Sequence, residues 1–124
     1  MSKKKGLTYD EKMIAAISSL PNPLEDKRHA IFIYFENDRY RSNQNRLDHI
    51  IEYRHGLKPS DIEQIPKRIK YSTLKKDKER KNTYNLYIRR KTVEKEFIKI
   101  SLEIVFEKDN SAKVKTIYIT KNLK

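Results

Sequence analysis

The sequence predicts an α+β fold in which N-terminal helices pack on one face of a C-terminal antiparallel β-sheet. Two observations lead to this expectation. Apolar residues recur at helical spacing over about residues 7–70, and they alternate with polar residues over about residues 83–121. The chain has 124 residues, enough for one domain and too few for two, so we expect a single domain over residues 1–124.

The first predicted helix begins after Thr8, whose hydroxyl can cap the first backbone amides. Asp10 and Glu11 follow in the first turn, where the helix dipole favours carboxylates. The expected apolar stripe consists of Met13, Ile14, Ile17 and Leu20. After the break at 21–23, the apolar run Ala30–Phe35 predicts a buried strand, with a helical turn as the alternative.

Two further helices are expected before the sheet. One begins near Ser42 and ends at Gly56, which tolerates the left-handed backbone of a helix C-terminus. A shorter helix follows, with Ser60 as its N-cap and Pro66 as its end. The charged segment 75–85 predicts a loop or the approach to a strand.

Three strands joined by short turns are predicted to form an antiparallel meander. Leu102 and Ile104 should face the helices among other aliphatic side chains. The opposite face should be accessible, and it combines rings, hydroxyls and cations, as a surface that binds single-stranded nucleic acid requires. Its predicted binding residues are Tyr87, Arg89, Lys99, Ser101, Thr116, Tyr118 and Thr120.

The charge of the chain indicates a polyanionic partner. Lys and Arg number 29 against 17 Asp and Glu, which gives a net charge of +12 and favours RNA or DNA. A bias towards lysine from an AT-rich genome would raise the charge without any such function. There are no cysteines, and no apolar run reaches the length of a membrane span. We therefore expect a cytoplasmic protein without membrane contact.

Few catalytic mechanisms fit this composition. The three histidines, His29, His49 and His55, lack the spacing of a zinc site. Carboxylate clusters for Mg²⁺ and glycine-rich phosphate loops are also missing from the sequence. Metal-free RNA cleavage remains possible, because the 2′-hydroxyl is an internal nucleophile and needs only an acid, a base and cations near the phosphate. No cofactor is expected.

Four segments, HIIEYRH, DIEQIP, FIKISLEI and VKTIYIT, follow one another along the chain. In this order, with helices first and a four-stranded antiparallel sheet last, they resemble the phage-type branch of the barnase–EndoU–colicin–RelE-like (BECR) nucleases. The similarity covers about residues 42–120. It implies a metal-independent endoribonuclease, often a toxin of a phage or mobile element, acting on single-stranded or tRNA-like RNA. It also implies an immunity or antitoxin protein as a partner.

The resemblance assigns catalytic positions residue by residue. His49, Arg54 and His55 match the helix motif, Lys99 the basic strand position and Thr116 the hydroxyl of the last strand. Tyr53 lengthens the interval between the His-Ile and Arg-His pairs, so which histidine faces the sheet stays open. We expect His55 to be the indispensable one, because it lies at the predicted helix end.

Two other functions fit the same sequence. A basic RNA- or DNA-binding regulator from a mobile element would use the same face without chemistry. An inhibitor that blocks a host factor is a third alternative. An essential histidine would distinguish the enzyme from both.

Overall fold

The computed structural model describes residues 8–35, 39–40, 44–45, 56–90, 95–106 and 110–121, with the backbone alone at 39–40, 44–45 and 105–106. The helices are α1, Tyr9–Ser18, and α2, Pro59–Arg68, which continues into a 3-10 turn, Ile69–Tyr71. The strands are β1 (Leu24–Asp26), β2 (Ile31–Tyr34), β3 (Arg39–Tyr40), β4 (Gln44–Asn45), β5 (Thr73–Lys76), β6 (Thr83–Arg89), β7 (Phe97–Phe106) and β8 (Ser111–Thr120). The predicted α+β class is confirmed.

The main sheet has six strands in the order β1-β2-β8-β7-β6-β5. Strands β6, β7 and β8 are antiparallel neighbours, as predicted, and β5, which was not predicted as a strand, pairs with β6 as a fourth. The prediction of a purely antiparallel sheet is nevertheless wrong, because β2 pairs in parallel with β8. The long intervening chain permits this crossover. The apolar run around Ile33 therefore lies inside the sheet, between β1 and β8.

The first helix agrees with its sequence signals at the N-terminus. Thr8 and Glu11 form a reciprocal capping box. Met13 and Ile17 are buried as predicted, but Ile14 is 52% exposed and does not belong to the stripe. Ala16 takes its place in the core, because residues at i and i+3 share a helical face.

The second helix departs from prediction at both ends. Lys58 is the N-cap instead of Ser60, with Pro59 in the first turn, where a missing N–H costs nothing. Pro66 lies inside the helix and does not end it. The buried residues on one side of this segment are Ile62, Ile65 and Ile69. Their burial stabilises the helix and offsets the free-energy cost of the backbone hydrogen bond that Pro66 removes.

The predicted helix between Ser42 and Gly56 does not begin where expected. Gln44–Asn45 pairs with Arg39–Tyr40 as a two-stranded ribbon. Residues 46–55 lie outside the described residues. The charged segment 75–85 begins with the last residues of β5 and continues through a turn into β6.

In the described part of the chain, one core joins the helices to the aliphatic side of the sheet. It includes Met13, Ile62, Ile65, Ile98, Ile100, Leu102 and Ile117. Leu102 is fully buried and Ile104 partly buried, which agrees with the predicted side of the sheet. Among the described residues, neither helix is long and apolar enough to cross a membrane.

Candidate nucleic-acid interface

The side of the sheet opposite the core is polar, and we call it the polar face. Its side chains lie in rows across β6, β7 and β8, because residues paired in register project to the same side. One row contains Tyr87, Lys99 and Tyr118, and the next contains Asn85, Ser101 and Thr116. Further rows contain Thr83, Glu103 and Lys113, and Arg89, Phe97 and Thr120.

Lys99 is central to the polar face. Its ammonium lies 5.7 Å from the centre of the Tyr87 ring and 5.2 Å from that of Tyr118. Both distances are within the range of cation–π attraction. The side chain is partly buried, and its strand position between two tyrosine-bearing strands leaves the ammonium between the two rings.

Burial lowers the pKa of Lys99, but hydrogen bonding and attraction from Tyr118 and then Tyr87 outweigh it, so the pKa is raised. Lys99 therefore stays charged at neutral pH. A fixed cation with restricted rotamers pays less entropy when it binds a phosphate oxygen than a mobile surface lysine does.

Two predicted binding residues are not accessible. Tyr87 is only 1% exposed and Ser101 only 4% exposed, so the expectation that they line an open surface is wrong. Both lie on inner strands with a neighbouring strand on either side, and the Lys99 ammonium lies over the Tyr87 ring. In this position Tyr87 cannot stack with a base, but it can hold Lys99.

The other predicted binding residues are at least partly accessible. Thr116, Tyr118 and Thr120 are half-buried on β8. Arg89 is exposed, and its guanidinium lies 5.5 Å from the centre of the Phe97 ring. Tyr118 is therefore the predicted tyrosine with ring surface left to contact a base.

A β-bulge adds one cation that the sequence pattern did not predict. The register between β7 and β8 shifts after Ser101, which pairs with Thr116, while Leu102 pairs with Val114. The residue left between them, Lys115, reaches Thr83 on the polar face, with its Nζ 3.3 Å from the Thr83 hydroxyl. Strict alternation of buried and exposed residues could not have predicted this. The sequence did contain an indication, because the apolar residues Val114 and Ile117 are three positions apart, whereas residues on one side of a regular strand are separated by an even number of positions.

A turn held by Asp77 closes the β5–β6 hairpin beside this face. Its carboxylate accepts hydrogen bonds from the backbone N–H groups of Glu79 and Arg80, each at 2.9 Å, and from the Asn85 amide at 3.1 Å. These bonds lower the pKa of Asp77 to about 2. Asp77 precedes the two residues whose amides it binds by two and three positions, and this spacing is typical of Asx turns.

Arg90 forms a buried ion-pair network beyond the end of β6. Its guanidinium donates two hydrogen bonds of 2.9 Å to Asp61 and one of 2.7 Å to Glu96. It also donates to the Gly56 carbonyl at 3.3 Å. The aspartate of the DIEQIP segment therefore links the start of α2 to the sheet. Strand parity places Arg90 on the aliphatic side, where a buried arginine requires a partner.

The predicted catalytic residues His49, Arg54 and His55 lie outside the described residues. The adjoining Gly56 has a φ of +77°, and a β-carbon on it would lie 3.8 Å from Ile119 of β8. The described histidine, His29, lies in the β1–β2 turn with its Nδ1 2.7 Å from the buried carboxylate of Asp26. The predicted catalytic residues Lys99 and Thr116 lie in adjacent rows of the polar face.

No family model matches this chain, and no curated protein or solved structure matches it either.

Proposed function

We propose that this protein is a metal-independent endoribonuclease that binds single-stranded RNA on the polar face. The observation that carries the proposal is the Lys99 ammonium held between Tyr87 and Tyr118. A fixed cation beside an accessible ring suits a phosphate and its neighbouring base. The described cations of this face, Arg89, Lys99, Lys113 and Lys115, outnumber its carboxylate Glu103.

The order of elements also supports the proposal. The resemblance to BECR nucleases implies helices followed by four antiparallel strands, and β5 to β8 form such a run after α2. In the proposed mechanism the 2′-oxygen bonds to phosphorus and the P–O5′ bond breaks. One histidine, His55 in our proposal, either accepts the proton of the 2′-hydroxyl or donates a proton to the departing 5′-oxygen, and Lys99 stabilises the phosphoryl oxygens.

The test is cleavage of total RNA by the purified protein in excess EDTA. We expect discrete fragments that end in 2′,3′-cyclic phosphate. His55→Ala should lower the rate by roughly 10²–10⁴-fold, the usual effect of losing a general acid or base. His29→Gln is the matched control. His29 lies in the β1–β2 turn beside Asp26 and does not belong to the rows of the polar face, so this substitution should not affect cleavage.

A double His49→Ala, His55→Ala variant that still cleaves RNA would contradict the mechanism. RNA binding that survives this double substitution, with no cleavage by the unsubstituted protein, would instead establish the second candidate, a binding regulator. That candidate needs only the cations and rings of the polar face, such as Lys99 beside Tyr118. Toxicity in cells, with an immunity protein as antidote, is a proposal for the ribonuclease alone.

A further inference from the structure

The aliphatic side of the sheet extends beyond the described helices. Strands β7 and β8 have ten residues each, about 33 Å, whereas α1 and α2 have ten residues each, about 15 Å. At the β5–β6 hairpin end a cavity of about 450 Å³ opens on this side. Its lining includes Ile31, Leu74, Lys76, Tyr84, Leu102 and Ile104.

The cavity adjoins an edge of the sheet. Among the strands that the structure describes, β5 is the last in the order of the sheet. The Asp77 amide donates to the Thr83 carbonyl at 2.9 Å, so this amide points towards β6. Because successive amides of a strand point in opposite directions, the amides of Leu74 and Lys76 point outwards. The same two residues supply the cavity wall nearest the edge.

The charge of this edge selects the kind of strand that can pair with it. The exposed cations of the segment 70–81 are Lys70, Lys75, Lys76, Lys78, Arg80 and Lys81, against two carboxylates, Asp77 and Glu79. Lysines on an edge strand oppose pairing with another copy of the same strand. They favour pairing with an acidic strand, because its carboxylates are attracted to these lysines.

We propose that β5 is a docking edge for an acidic, extended segment of a partner protein. The segment adds to the sheet as a further strand, and its backbone hydrogen-bonds to the outward groups of Leu74 and Lys76. Its alternate apolar side chains enter the cavity beside Leu74, while acidic side chains on its other face lie beside Lys75. This edge is separate from the central row of Lys99, so the proposal stands without the ribonuclease activity.

The test uses an alternating glutamate–leucine peptide with blocked termini as the probe. A peptide of the same composition with all its leucines in one block is the control. Amide hydrogen exchange, followed by NMR on the full chain, should slow at Leu74 and Lys76 by at least about tenfold with the alternating peptide. The block peptide should leave these two amides unchanged.

Two variants separate backbone pairing from charge. Lys76→Pro removes an outward donor, which an edge position tolerates, and should weaken peptide binding by at least about tenfold. Lys76→Gln removes only the charge and should weaken binding less, so it serves as the test if the proline variant does not fold. Equal protection by both peptides, protection elsewhere, or no binding would overturn the proposal. Protection of the same two amides by oligouridine would also overturn it, in favour of RNA at this edge.

Discussion

Lys99 combines the two properties that a phosphate-binding residue needs, a permanent charge and a fixed position. The rings of Tyr87 and Tyr118 provide the fixed position, and Tyr118 makes the larger contribution to raising its pKa. Tyr87 does so from a buried site. A residue predicted to touch RNA therefore acts on the cation next to it.

We predict that Lys99→Met weakens binding of an oligouridine by about 10- to 100-fold, because a charged hydrogen bond to phosphate is lost. The slope of log affinity against log salt should fall by about 0.7, the value for one phosphate of a single strand. Fluorescence anisotropy at several salt concentrations measures both. Lys67→Met, on the exposed side of α2, is the matched control. Equal losses in the two variants would show that only total charge matters.

Asp77 links stability to pH. The pKa of its carboxyl is lowered from 3.8 to about 2 in the folded chain by the amides of Glu79 and Arg80 and by Asn85. A lowered folded-state pKa stabilises the fold above the unfolded value and loses this effect as the pH falls through the folded value. The contribution of Asp77 should therefore disappear between about pH 4 and pH 2.

We predict that the protein is more resistant to urea than its Asp77→Asn variant at pH 7 and that this difference shrinks between about pH 4 and pH 2. Urea unfolding at a series of pH values measures the difference. Asp10→Asn, an exposed carboxylate in the first turn of α1, provides the comparison for a charge change elsewhere. If the difference in urea resistance between the unsubstituted protein and Asp77→Asn does not vary with pH, the assigned hydrogen bonds are contradicted.

At the scale of elements, the buried guanidinium of Arg90 connects α2 to the sheet. Arg90 is 7% exposed and Asp61 is 3% exposed, and their two parallel hydrogen bonds form where α2 begins and β6 has ended. Removing one partner leaves the other charge buried without compensation. The DIEQIP segment therefore has a structural role through Asp61.

We predict that Arg90→Met lowers the free energy of unfolding by about 3–5 kcal/mol, the usual cost of breaking a buried ion pair. Arg89→Met, one residue earlier and exposed, should change it by no more than about 0.5 kcal/mol. Urea unfolding of both variants measures the contrast. Adding Asp61→Asn to Arg90→Met should cost less than the sum of the two single changes, because the residues are in contact. Additive losses would show that the pair does not act as a unit.

For the whole molecule, a net charge of +12 on 124 residues makes association with RNA dependent on salt. Each phosphate that the chain neutralises releases counterions from the RNA. The cations Arg89, Lys99, Lys113 and Lys115 project from three neighbouring strands, so one nucleic-acid strand can contact several of them at once.

We predict that affinity for an oligouridine falls by roughly 20- to 130-fold between 50 and 200 mM salt, as expected for about three to five phosphate contacts on a single strand. Titrations at constant pH measure this dependence. The melting temperature, recorded at the same salt concentrations, shows whether the fold is unchanged. An affinity that does not vary with salt would contradict the electrostatic interpretation.

Local patterns in the sequence were sufficient to predict the α+β class, the cap at Thr8, the strand after Ala30 and the two sides of β6, β7 and β8. Each depends on neighbours within a few positions, through backbone capping or the periodicity of side chains. Pattern also assigned Lys99 and Tyr118 to one side of the sheet, and the structure has them in the same row.

Tertiary structure alone decided the parallel pairing of β2 with β8, the burial of Tyr87 and Ser101, and the ion pair between Asp61 and Arg90. Each depends on residues far apart in the chain, whose meeting is determined by how strands and helices share one core. The bulge at Lys115 belongs to the same group, because it depends on the register of two strands. Alternation predicts which side of a strand a residue faces, but only packed neighbours determine whether that side is open to a ligand.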